Sequence, residues 1–280
     1  MRDQLDFFVV ERTESHARIL LAPREGAKIA KIAGVVRGPF SEFSKTLTAD
    51  STIRPGMTEG TFEALVVEPC YWTPALPFWY DLRLILTFAD GVEREEIIPV
   101  GIKRFYCERR NFLVEGKRIV LRGMQIDSAD EAALSAARNF ETALIVNHAN
   151  DGIYASANRL GVALVVDLRG AEWAACAELD WHPAVMLVLV GAEQVADDKL
   201  RNVQTAVCVN ATSEQPTVAC DAYAIELQPG ERPPAWATTC DKPVIVIRKD
   251  PNAKIRDARA GCDKLQAELA PEFDLAGYFV

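Results

Sequence analysis

The chain has 280 residues, 49% hydrophobic and 25% charged, with a mean hydropathy of +0.01; this is too apolar for disorder and enough for one large or two ordinary globular domains. The 40 acidic against 31 basic residues give a formal charge of -9, and an acidic chain without a basic block is a poor partner for nucleic acid or an anionic membrane. No apolar run approaches the roughly 20 residues that span a bilayer. The start, MRDQLD, lacks the apolar core of a secretory signal, which places the chain in the cytoplasm unless a leader has already been removed. Up to about residue 105, short β-type runs alternate with turn residues. They cover 6–11, 17–22, 28–36, 61–67, 79–88 and 95–100, several with every second residue polar. Ala89-Asp-Gly-Val92 joins two of them as a hairpin. Six or seven such strands in about 100 residues predict an antiparallel β-sandwich of immunoglobulin type, with a domain boundary at 105/106.

From residue 118 the rhythm changes. A strand at 118–123 precedes Ser128, an N-cap with Glu131 three residues on, and a helix running to Asn139. Strand 143–147 follows, then helix 153–160 closed by Gly161, and strand 162–167. Helix 172–179, strand 184–190, helix 193–203 and strand 205–210 continue the alternation, with later strands at 222–227, 244–247 and 275–280. Apolar β-branched runs alternating with helices indicate a parallel sheet covered on both faces. Eight strands predict a (β/α)8 TIM barrel over 106–280. At about 175 residues it is small beside the roughly 250 that are typical, so some outer helices must be missing or reduced to a turn. The alternative is a doubly wound open sheet, although no Gly-rich phosphate loop follows its first strand.

The seven cysteines (70, 107, 176, 208, 220, 240 and 262) form no C-x-x-C pair and are odd in number, which reads as reduced, mostly buried thiols. The three histidines (16, 148 and 182) lack metal-ligand spacing. No metal and no cofactor is expected.

Several segments carry a family resemblance. Residues 70–82 (CYWTPALPFWYDL) resemble the "W-s-P-e-n-P-y-l-Y" segment in the immunoglobulin-like domain of glycoside hydrolase family 2. Residues 100–105 (VGIKRF) resemble its closing "G-F-R" strand, and 112–123 (FLVEGKRIVLRG) the "f-l-N-G-k-p-v-l-R-G" that opens its barrel. Asn147-His148 is similar to "S-H", 154–167 to "Y-d-l-c-D-e-l-G-l-l-V-i-D", and 181–193 (WHPAVMLVLVGAE) to "H-P-S-V-i-l-W-s-l-G-N-E". Residues 242–247 and 277–280 resemble "k-P-i-i-i-s" and "G-g-f-v-W". The likeness spans residues 65–280 in the family's order, and leaves no room for its N-terminal sugar-binding jelly roll.

The resemblance implies a retaining glycosidase, whose two carboxyl groups stand about 5–5.5 Å apart as nucleophile and acid/base. Glu193 matches the acid/base, but Ala192 replaces the sugar-binding asparagine before it. The nucleophile position is Arg248, which cannot attack an anomeric carbon and whose charge would hold a nearby Glu193 ionised; Asp250 is two residues out of place. The family's substrate arginine is replaced by Ile145. Candidate ligand-binding residues at the barrel mouth are Arg122, His148, Asp167, Asn210 and Arg248. Glu193 has a plainer role in capping the helix after it, and Arg122 and Arg248 in a structural ion network with the acids. Asp167 has one in pairing with Arg169 or Arg122. His182, before the fourth strand, belongs to the stability face of a barrel.

Three functions fit these residues. The first is a non-catalytic carbohydrate-binding or interaction module on a family 2 scaffold, a pseudoenzyme. The second is an active glycosidase using Glu193 with an atypical second carboxylate. The third is a structural partner in an oligomer, docking through apolar surface where outer helices are absent.

Overall fold

Leu5, Phe7 and Val9 alternate with more exposed neighbours, as do Ala17, Ile19 and Leu21, and this period of two builds strands with one dry face. A computed structural model of the chain describes residues 2–171, 178–195 and 205–280. It pairs those segments as β1 (Leu5–Arg12) and β2 (His16–Pro23). Between β2 and β6 (Phe62–Val67) lie β3 (Ile29–Phe40), β4 (Ala49–Thr52) and β5 (Arg54–Pro55); β7 (Trp79–Phe88) and β8 (Glu93–Val100) follow. Two antiparallel sheets result, of order β1-β2-β6-β5 and β4-β3-β7-β8. Their dry faces share one core, to which Leu82, Leu84, Leu86 and Ile98 contribute. The expected hairpin is present: Gly91 adopts φ 83° and Phe88 N–H donates to the Val92 carbonyl at 2.9 Å.

Contacts divide the chain into two units, one of residues 1–103 with 177–183, the other of 104–176 with 184–280. The first therefore borrows a piece of the later sequence. Trp181 from that piece stacks on Phe7 with ring centroids 5.0 Å apart, and both are buried. His182 is buried there too, 3.4 Å from an Arg2 guanidinium nitrogen.

The second unit opens with a small sheet of β9 (Phe105–Glu108), β10 (Asn111–Val114) and β11 (Lys117–Ile119). Eight parallel strands then close a barrel: β12 (Leu121–Ile126), β13 (Ala143–Asn147), β14 (Leu164–Asp167), β15 (Val185–Val190), β16 (Ala206–Ala211), β17 (Ala222–Glu226), β18 (Val244–Ile247) and β19 (Gly277–Phe279). Strand β15 is buried along its whole length, as expected of a parallel strand covered on both faces. The helices α1 (Glu131–Asn139), α2 (Asp151–Leu160) and α3 (Ile255–Leu269) pack outside it. Ala258, Cys262, Leu265 and Leu269 form the buried stripe of α3 at helical spacing. The Cys262 thiol lies 3.1 Å from the carbonyls of both Gly123 and Tyr278. Gly161 ends α2 in the left-handed conformation that glycine adopts without strain.

Two expectations change, and two more fall largely outside the described residues. The strand at 118–123 is split: Lys117–Ile119 joins the small sheet and only Leu121 onward enters the barrel. Asp130, not Ser128, caps α1, because its own carboxylate reaches Ala133 N–H at 2.7 Å. The helix expected at 193–203 begins as a 3-10 turn, Ala192–Gln194, and residues 196–204 lie outside the described residues. Most of the helix expected at 172–179 also lies outside them. No described helix is long and apolar enough to cross a membrane.

Candidate functional site

Strand register decides which residues face the barrel lumen. Gly277 pairs with Leu121 and with Ile245, and a Cβ on it would collide with both side chains, so these three share the inner face. Following the ladder, Ile245 pairs with Ala224, Ala224 with Asn210, and Glu226 with Ile247. Cys208 pairs with Leu189, Leu189 with Asp167, and Asp167 with Asn147. Asp167, Asn210 and Glu226 are therefore inward residues at the carboxyl ends of their strands, where barrels carry their chemistry.

Arg169 ties this mouth together. Its Nε donates to both Asp167 oxygens at 3.0 and 3.1 Å and its Nη2 to Oδ2 at 2.6 Å, while its Nη1 donates to Glu226 Oε1 at 2.6 Å. The Arg169 backbone N–H also donates to Asp167 Oδ1 at 3.0 Å, closing the turn that follows β14. The Asp167 side chain is 8% exposed and that of Glu226 48%. The Asp167 carboxylate, helped by Glu226, raises the guanidinium's already high pKa. Beneath lies Cys208, whose thiol burial pushes well above its ordinary value. The Asn210 amide oxygen is buried and meets no hydrogen-bond donor among the described residues.

The other candidates lie elsewhere. Glu193 is exposed, with its carboxylate folded over Gly191, where a Cβ would have to displace it. Its neighbour Gln194 does the structural work: the amide oxygen accepts from Gly191 N–H at 2.8 Å, and the amide nitrogen donates to the Leu168 and Ala171 carbonyls at 2.9 and 3.1 Å. That clamp joins the turn after β15 to the loop after β14. Arg248 follows β18 but is committed to Glu268 Oε2 on α3 at 2.6 Å and to the Glu231 carbonyl at 2.7 Å, with its side chain 14% exposed. It thereby holds the Glu268 carboxyl below its ordinary range. Arg122 also reaches α3, meeting Asp263 at 2.9 Å and Gln266 at 2.6 Å. Both arginines thus form an ion network, but with helix acids and not with Asp167 or Glu193. His148, just past β13, is exposed and lies 3.1 Å from the Tyr154 hydroxyl, which accepts from Ala149 N–H. Ile145 is fully buried, Asp250 caps a surface turn through Asn252 N–H, and Trp72 is fully buried.

The structure brings together Asp167 and, from the sequence reading, its suspected partner Arg169; Asn210 shares their inner face. Glu226 and Gln194 escaped that reading. Glu226 ends a strand just as Asp167 does, and the same positional rule applied to 222–227 finds it.

No family model and no curated protein sequence matches the chain. Its fold does match solved structures. A β-glucuronidase from Ruminococcus gnavus in complex with D-glucuronic acid aligns with a TM-score of 0.68 at 10% identity, over 99% of this chain and 60% of that one. A β-glucuronidase from Parabacteroides merdae aligns at 0.67 and 12%, over 99% and 47%. A glycosyl hydrolase family 2 member from Bacteroides cellulosilyticus aligns at 0.65 and 15%, over 100% and 43%. The chain thus spans between 43% and 60% of the length of these three proteins. Sheets and barrel alike have the fold of family 2 glycoside hydrolases, at a sequence identity that speaks for the fold alone.

Proposed function

We propose that the chain is a carbohydrate-binding module on a family 2 scaffold, with an immunoglobulin-type sandwich ahead of a barrel that no longer carries out the family's hydrolysis. The observation that carries this reading is Arg248. It stands where the resemblance calls for the nucleophile, and its side chain is bound to Glu268 and the Glu231 carbonyl. A family acid/base at Glu193 has no carboxylate partner at that position, and Ala192 cannot hydrogen-bond a sugar hydroxyl. What remains at the mouth is a set of hydrogen-bonding groups, Asp167, Arg169, Asn210 and Glu226, of the kind that orient a polar ligand without cleaving it.

Saturation-transfer NMR against a panel of monosaccharides and oligosaccharides tests this. We expect binding that Asp167→Asn weakens at least tenfold while the folded spectrum persists. Absence of binding to every sugar, or binding indifferent to the mouth substitutions, overturns it. A second reading, an active glycosidase pairing Glu193 with an atypical carboxylate, draws support from Asp167 and Glu226, which share one guanidinium.

A further inference from the structure

The first unit carries a cluster of reactive side chains of its own, where the chain turns from β1 into β2. Ser15 Oγ stands 3.1 Å from His16 Nδ1, and His16 Nε2 stands 2.9 Å from Glu11 Oε1. A carboxylate only accepts, so Glu11 selects the neutral imidazole with its proton on Nε2 and leaves Nδ1 to accept a hydroxyl proton. Thr13 Oγ1 is also 3.1 Å from Nδ1, but it donates its own proton to the His16 carbonyl at 3.0 Å. Ser15 is therefore the hydroxyl that supplies Nδ1. The contact with His16, reinforced by Arg18, holds the Glu11 carboxyl below its ordinary range. Hydrogen bonds fix the turn around this line of groups. Thr13 N–H donates to the His16 carbonyl at 2.9 Å, and Thr13 Oγ1 accepts from His16 N–H at 3.0 Å. The buried Tyr71 gives its hydroxyl proton to the Thr13 carbonyl at 2.6 Å, and Glu68 N–H donates to the Ser15 carbonyl at 2.8 Å. Glu68 does so at φ 48°, a left-handed conformation that costs a residue with a side chain. The Ser15 side chain at the tip is exposed.

We infer that Ser15, His16 and Glu11 form an esterase site, in which His16 takes the Ser15 proton as that hydroxyl attacks an aryl ester of a short carboxylic acid. The site is independent of the sugar-binding reading given above. A nucleophile, a base within hydrogen-bond reach and a third group that orients the base are the parts such catalysis needs. Ser15 Oγ bonds to the acyl carbon while its proton passes to His16 Nδ1. The bond from that carbon to the phenol oxygen breaks, and the phenolate takes the proton from His16. Water then adds to the acyl-serine, again losing a proton to Nδ1, and the carboxylic acid leaves as the Ser15 hydroxyl is restored. Glu11 and Thr13 are positioning residues. The substrate class follows from the leaving group, because a phenolate departs without the strong oxyanion stabilisation on which amide cleavage depends. Glu11 also lines a groove of about 410 Å³ with Val10, Leu20 and Met57, which sets apolar surface against the acid side of the cluster for an aryl ring.

Two measurements on the whole chain test this: hydrolysis of p-nitrophenyl acetate, and labelling by a fluorophosphonate. In the labelling the Ser15 oxygen displaces fluoride from phosphorus, and the serine proton leaves with it as HF. We expect the label to map to the peptide that holds Ser15, and to be lost in His16→Gln. We expect kcat/KM for the ester to fall about tenfold or more in Ser15→Ala and in His16→Gln. Glu11→Gln should lower kcat with KM unchanged, and thermal melts confirm the fold of each variant. A label that lands elsewhere or nowhere overturns the inference. So does a label on Ser15 that forms as fast in His16→Gln, or ester hydrolysis as fast in Ser15→Ala as in the wild type. The label is mapped on the wild-type chain, so it decides the matter even where a substitution disturbs the turn.

Discussion

Arg169 joins two acids that the chain places on strands β14 and β17, and its loss leaves Asp167 almost enclosed without a cation. Removing one partner of a buried, charge-assisted set exposes the desolvation cost of the other. We expect Arg169→Met to lower the unfolding free energy by about 1–3 kcal/mol and Glu226→Gln, at a half-exposed site, by less than about 1 kcal/mol. Urea denaturation with unchanged slope reads both; equal losses would contradict the assignment of Asp167 as the enclosed partner. Lys103, in the first unit, supplies a pH test. Burial of its ammonium, reinforced by Arg12 and opposed by Asp180, pushes its pKa down from 10.5 to about 7. Between those values the unfolded chain binds more protons, so stability rises with pH across that window. Lys103→Met should flatten the rise. Its advantage over the wild type should be greatest below pH 7 and gone above 10.5, as followed by denaturation at several pH values. Parallel pH profiles would contradict the burial of that amine. At this scale the sequence pointed to the Asp167–Arg169 pair, because a charged residue ending an apolar run stands out. It could not show that Arg248 turns outward, since its partners Glu268 and Glu231 come from elements whose placement no local pattern reveals.

Strand β12 meets β13 closely enough at Gly123 that a Cβ there would collide with the Ala143 carbonyl and the Phe279 ring. Gly123→Ala should therefore destabilise by about 1–3 kcal/mol, the cost of overpacking a closed core, whereas Asp130→Ala should cost about 1 kcal/mol as a lost helix cap. Thermal unfolding of both variants checks the order; a larger loss in Asp130→Ala would reverse the account of what holds the barrel's first strand. The barrel strands were readable because runs such as Leu144-Ile-Val146 are apolar on both faces. The two-residue β5 and the short β9–β11 sheet were not, since runs of two to four residues are too short to establish a period. Ser128 misled because Glu131 completes a capping-box spacing, while the competing Asp130 is equally competent and two residues nearer. Where a helix was expected from 193, the described residues open with a 3-10 turn, Ala192–Gln194, in which the Gln194 amide serves Gly191 and two loop carbonyls.

Across the whole chain, the order of sheet-forming and barrel-forming segments was visible in the sequence, and the eight strands close as that order implied. The borrowing of 177–183 by the first unit was not, because it depends on Trp181 meeting Phe7 across most of the chain. We propose that this scaffold binds sugar at the barrel mouth without the family's bond cleavage. Hydrolysis of a panel of aryl α- and β-glycosides by the purified chain, measured beside Glu193→Gln, tests it most directly. We expect no turnover above the buffer rate from either protein. Turnover by the wild type that Glu193→Gln abolishes would contradict it and make Glu193 a working acid/base.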